Sequence, residues 1–244
     1  SFTNFSNHQE IAASLGFTTK PQSFNNIKIY SNDNFALTLD PDHHQLSYSF
    51  LDSQLATKSG TFNSPTELFS KTTSLITQLN IFPTSFSFQL TNTDYRQLED
   101  AYLIPTTINQ ANVAQLSIIP TVNNIPIYLQ EQPGITAVYN RQNALIKLDI
   151  YIPINTISEP VETNLISFDL IKTLPPSSFF PVSITPDSPE QAWTGVPPLD
   201  QITPQQVAFS YLLDPKNNLL QPIFTLTDPS KTSNSYIYAT LAYP

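Results

Sequence analysis

The chain has 244 residues, 10 Lys/Arg against 19 Asp/Glu for a formal charge of −9, no Cys and no Met. The missing thiols exclude disulfides, thiolate metal sites and cysteine nucleophiles, and the shortage of basic residues argues against binding bare phosphate. With 40% apolar, 11% aromatic and only 12% charged residues, the composition predicts a packed core under a surface made polar by Ser, Thr, Asn and Gln.

Asn7 followed by Glu10 reads as a capping pattern, and Ile11, Ala12 and Leu15 give an apolar stripe that Gly16 can end, so a first helix is expected over Asn7–Leu15. Three strands are expected next at Asn26–Tyr30, Phe35–Asp40 and Gln45–Leu51, where Leu37/Leu39 and Leu46/Tyr48/Phe50 alternate as half-buried strands do. Ser64-Pro65-Thr66-Glu67 opens a second helix to about Asn80, with Pro at its first position and Leu68, Leu75, Ile76 and Leu79 facing a core. A strand follows at Ser85–Thr91. Tyr95–Tyr102 reads as a helix that Pro105 stops.

Four strands are expected at Asn112–Ile119, Ile125–Gln130, Ile135–Tyr139 and Ala144–Ile152, with turn residues at Asn123-Asn124 and Asn140-Arg141-Gln142-Asn143. The segment Glu159–Thr185 is interrupted by prolines and reads as a crossover; Ser188-Pro189-Glu190-Gln191 then caps a short helix carrying Ala192 and Trp193. A closing meander spans Pro204–Leu213, Asn218–Thr227 and Ser235–Tyr243. The fold class expected is α+β: two or more antiparallel meander units, each with a helix packed on one face. An N-terminal unit is placed at 1–105 and a C-terminal one at 106–244, with the crossover near 159–187.

The run "SIIPTVNNIPIYLQEQPGITAVYNRQNALIKLDIYIP", the helix with "EQAW" and the strand pair "VAFSYLLDPKNNLLQPIFTLTD" together resemble the PepSY-like modules of bacterial envelope proteins, including the YycH/YycI regulators. In that resemblance Asn124-Ile125-Pro126-Ile127 matches the strand start "G-x-P-[VI]", Ala144–Asp149 the strand after the "D-x-x-G" turn, and Ala192 and Trp193 the helix before the "V-x-L-x-Y" strand. Asn124 and Asn143 stand where such turns usually carry glycine. The match covers about Ala111 to Pro244. It implies a membrane-anchored, extracytoplasmic protein that binds other proteins or inhibits a protease or kinase partner, and it implies no catalytic residues. The absence of Met predicts that the chain is processed or cut before Ser1, which would place a membrane anchor further N-terminal.

The search for chemistry points the same way. Asp40-Pro41-Asp42-His43-His44 is the one dense set of potential metal ligands, and it reads as a hairpin turn, because adjacent residues in a tight turn point apart. The carboxylate pairs Glu99/Asp100, Glu159/Glu162 and Asp187/Glu190 sit in loops or helix starts, without the fixed separation that acid–base work requires. No G-x-S-x-G, H-E-x-x-H or glycine-rich phosphate loop is present. No catalytic residue, metal or cofactor is therefore expected.

Trp193 is the candidate partner-binding residue, weighed against a role packing its helix onto the last meander. Phe82, Phe86 and Phe88 read as an alternating strand in preference to a carbohydrate platform. The expected function is a non-catalytic binding or regulatory domain. The structural alternative is an adhesive cell-surface protein that self-associates through sheet edges.

Overall fold

The computed structural model describes residues 5–99, 102–129, 134–151, 164–171, 173–185, 206–214, 219–227 and 235–242. It is a mixed α+β structure dominated by antiparallel sheet, with few helices. No described helix is long and apolar enough to cross a membrane.

Two compact units are present, Ser1–Pro120 with Gly134–Ser158, and Thr121–Pro133 with Glu159–Pro244. This differs from a division at 105/106. The reason is strand pairing: Leu145–Tyr151 lies antiparallel to Gln45–Phe50, from Lys147↔Ser49 to Tyr151↔Gln45, which ties late strands to the first meander.

In the first unit β1 (Gln22–Phe24), β2 (Ile27–Ser31), β3 (Phe35–Asp40) and β4 (Gln45–Phe50) form the expected meander. After it come β5 (Phe86–Glu99), β6 (Tyr102–Pro105) and β7 (Val113–Val122), then, beyond β8 (Ile125–Leu129), β9 (Ile135–Asn140) and β10 (Leu145–Tyr151). The sheet order is β1-β2-β3-β4-β10-β9-β7, with β5 on β7 and β6 on β5. Turns rely on asparagine. Of seven described non-glycine residues with positive φ, five are Asn (25, 80, 123, 124 and 143), the residue that best tolerates left-handed backbone where glycine is scarce.

Helix α1 (His8–Ser14) and helix α2 (Pro65–Leu79) pack on one face of this sheet. α2 starts as its sequence predicts: Ser64 Oγ accepts from the Glu67 amide, the Glu67 carboxylate accepts from the Ser64 amide, and Pro65 occupies the first turn. It ends at Asn80 in left-handed conformation. α1 forms without the expected cap, since Asn7 makes no side-chain capping bond. It is held by burial of Ile11 and Ala12 instead. Leu68, Ile76 and Leu79 of α2 meet Leu37, Leu39, Leu46, Leu116 and Leu148 of the sheet, all at most 2% exposed. Thr72 Oγ1 lies 2.9 Å from Tyr139 Oη inside this core.

Where a helix is expected at Tyr95–Tyr102, the described residues Tyr95–Glu99 and Tyr102 lie in strands. β5 continues through Glu99 and pairs with β6 from Arg96↔Pro105 to Glu99↔Tyr102. The Asn112 side chain accepts from the Leu98 amide at 2.8 Å, and the Asn112 amide donates to Arg96. The hairpin pairing with β6 and the bonds to Asn112 together outweigh a weak local helix pattern.

The second unit orders β8-β12-β13-β14-β11, where β11 is Phe180–Thr185, β12 Gln206–Asp214, β13 Leu219–Thr227 and β14 Ser235–Leu241. The closing meander is thus as expected, and β8 runs parallel to β12. β11 falls within the segment read as crossover and pairs antiparallel with β14. A one-turn helix, α3 (Phe168–Ile171), sets Ile171 against Phe224, Leu226 and Ala242. Val182, Leu212, Ile223 and Ala239 form a second apolar cluster. The helix expected at 188–193 lies outside the described residues.

Candidate functional site

The helices cover one face of the first unit's sheet, and strand alternation sends the intervening residues to the other. Pairing registers align these residues into rows. One row runs Ile29, Thr38, Ser47, Asp149, Thr136, Ser117 across β2, β3, β4, β10, β9 and β7. The next runs Ser31, Ala36, Ser49, Lys147, Val138, Gln115 across the same strands. Neighbouring strands lie about 4.8 Å apart, so the half-buried hydroxyls of Thr38, Ser47, Ser49 and Ser117 stand close to the buried Asp149 and Thr136, with the longer side chains of Lys147 and Gln115 in the adjoining row.

Asp149 anchors this face. One carboxylate oxygen accepts from Ser47 Oγ at 2.6 Å and the other from Lys147 Nζ at 2.8 Å, and the carboxylate is nearly buried. The lysine balances its charge, and the serine satisfies the remaining oxygen. Tyr151, further along β10, has its phenol pushed above the ordinary value by burial and by the Asp149 charge, with Lys147 opposing. Ser47 donates a hydrogen bond to the Asp149 carboxylate, which fixes the orientation of the hydroxyl. What the arrangement offers is a rigid, charge-balanced set of donors and acceptors.

Toward the β9–β10 turn the same face becomes apolar. A β-bulge between Leu145 and Lys147 sends Ile146 to join Val113, Val138 and Ala56 in a buried cluster, with Leu55, Leu98 and Leu103 packed on it.

The turn itself is a polar hub. Arg141 donates from Nε to Ala111 at 2.6 Å and from Nη2 to the carbonyls of Asn109 at 2.7 Å and Ile108 at 3.0 Å. Its Nη1 reaches the Gly60 carbonyl at 3.4 Å, and its guanidinium lies 5.3 Å from the Phe62 ring centroid. Asn140 and Asn143 in the same turn bind residues 55–63. From sequence these residues read only as a turn.

The predicted site residues fall as follows. At the β3–β4 turn, Asp40 accepts from the Asp42 and His43 amides and pairs with His43 Nδ1 at 2.8 Å, while Asp42 accepts from Asn26. The aspartates thus serve the loop's own backbone and neighbours. Among the described residues no three His, Cys, Asp or Glu side chains gather to hold a metal. Glu99 is exposed at the end of β5; Asp100, Glu159, Glu162, Asp187, Glu190 and Trp193 lie outside the described residues. Phe86 and Phe88 lie in β5 as the alternating-strand reading expects, whereas Phe82 lies in the turn before it; Phe82 packs against Phe86 and Phe88, ring centroids 5.8 and 5.3 Å apart, and Phe82 and Phe88 join the helix-side core.

Compared with family models, curated proteins and solved structures, the chain matches none of them.

Proposed function

We propose that this chain is a non-catalytic binding or regulatory domain of a membrane-anchored bacterial envelope protein, and that it contacts its partner through the polar face of the first unit's sheet. The half-buried Thr38, Ser47 and Ser117, aligned in one row over the buried Asp149 and Thr136, carry the proposal. Short side chains on paired strands lose little entropy on binding, so their hydrogen-bonding groups are organised in advance. The weakly charged composition suits a protein partner better than an anionic polymer. The PepSY-like, YycI-like resemblance over residues 111–244 supports the extracytoplasmic setting and the regulatory role. A test is to replace Thr38 or Ser49 by arginine and measure co-purification with envelope proteins; loss of one defined partner with an unchanged fold is the expected result.

A second reading, self-association of a cell-surface protein through sheet edges, is favoured by one observation. β1 and β6 each pair on one side only among the described strands, and they carry Phe24 and Tyr102 at 69% and 73% exposure. Concentration-dependent sedimentation that Phe24→Lys or Tyr102→Lys abolishes would select this reading.

A further inference from the structure

Residues 52–63 carry the chain from β4 to α2, and they are attached to the first unit in an unusual way. Their described backbone hydrogen bonds are local: the amides of Leu55, Ala56 and Thr57 donate to Asp52, Ser53 and Gln54 within a single 3-10 turn. The bonds that tie the segment to the sheet come from side chains of one β-turn. Asn140 Nδ2 donates to the Leu55 carbonyl at 2.8 Å, Arg141 Nη1 to Gly60, and Asn143 Nδ2 to Thr61 at 2.9 Å. Asn143 Oδ1 accepts from the Asn63 amide at 2.6 Å. Gly60 passes so close to the turn that a Cβ there would meet the Arg141 carbonyl oxygen. Leu55 and Ala56 rest on Val113, Val138 and Ile146, and Phe62 at the far end packs on Tyr95 at the edge of the helix-side core, ring centroids 5.6 Å apart, whereas residues 51–54 and 57–61 are exposed.

We infer that residues 52–63 form a strap that opens as one unit ahead of global unfolding, with the turn Asn140–Asn143 as its catch. A segment with local backbone bonds, few buried side chains and a handful of side-chain ties occupies the low end of a protein's range of opening free energies. The strands beneath it are laddered on both sides and stay closed when it lifts. Opening uncovers the apolar cluster around Val138, which stands in the same cross-strand row as Lys147 and Gln115. The strap therefore sets how much of that face is accessible.

Native-state hydrogen exchange of the full chain tests this. The amides of Ala56 and Thr57 are the reporters, and Leu148 and Ile150 in β10 are the reference. In the wild type the reporters should exchange faster than the reference and with a weaker dependence on denaturant. Asn143→Gly keeps the left-handed turn residue (φ 59°) and removes both Asn143 ties without touching the reporters' own bonds. It should speed exchange at Ala56 and Thr57 by about tenfold or more, with β10 changed much less. Acceleration confined to Asn63 would overturn the inference, because the strap would not move as a unit. Equal rates and denaturant slopes for strap and β10 in the wild type would overturn it too.

Discussion

Arg141→Ala removes a side chain that donates four hydrogen bonds to backbone carbonyls. Three of its hydrogen bonds are 2.6, 2.7 and 3.0 Å long and end on the carbonyls of Ala111, Asn109 and Ile108. At about 1.5–3 kcal/mol for a bond to a charged group, addition would give roughly 4.5–9 kcal/mol. That sum is too large. The two Nη2 bonds are exposed, so water replaces them at little cost once the side chain is gone, whereas the Nε bond to Ala111 is partly buried. Counting the Nε bond nearly in full, the Nη2 bonds as a fraction, and the Phe62 contact at about 0.5 kcal/mol gives a loss of about 2–3 kcal/mol. For a unit of this size that lowers Tm by roughly 5–10 °C. Urea unfolding followed by circular dichroism, with exchange of the β10 amides to locate the change in the first unit, measures it. Arg141→Lys keeps the charge but has no planar fork to span Ala111 and Asn109, so it should recover less than half of the loss. A change below about 0.5 kcal/mol for Arg141→Ala, or full recovery by lysine, would refute the reasoning.

Other expectations follow from the same contacts. Ile76→Ala opens a cavity between α2 and the sheet at a fully buried site and should cost about 2–5 kcal/mol in the same urea assay. Burial raises the Tyr48 phenol to about 12. The folded state therefore holds this proton where the unfolded chain releases it, and stability should decline as pH rises from about 10 toward 12, with Tyr48→Phe flattening that decline. For Asp40, burial pushes the carboxyl up, but hydrogen bonds from the His43 side chain and from the His43 and Asp42 amides prevail and hold it below the ordinary aspartate value. Its stabilisation is present above the unfolded carboxyl range and lost as pH falls through the lowered folded value. The stability difference between wild type and Asp40→Asn should accordingly shrink on acidification.

Local signals agree with the fold where the burial they imply is actually satisfied nearby. Ser64, Pro65 and Glu67 announce α2, and the alternation of Leu37/Leu39 and Leu46/Tyr48 announces β3 and β4, because each pattern matches the face its own element buries. Tyr95–Tyr102 misleads for the opposite reason: its residues are decided by partners far along the chain, with Tyr95 packing into the helix-side core and Leu98 into the cluster under the strap. A period-two reading, with Tyr95 and Leu98 on opposite faces, would have found the strand. The polar face is only half legible. Alternation gives the outward residues of each strand, but the partnership of Ser47 with Asp149 spans 102 residues and depends on β4 pairing with β10. Arg141 shows no sequence signal at all, since its acceptors are backbone carbonyls that any residue would supply.

The most direct test of the binding-face account is site-specific photocross-linking in the native envelope. A photoreactive residue is placed at Thr38 or Ser49 on the polar face, and at Gln78 on the exposed side of α2 as control. The account predicts one defined envelope protein cross-linked from Thr38 and Ser49 and none from Gln78. Equal capture from all three positions, or capture from Thr38 and Ser49 only of further copies of this chain, would contradict it.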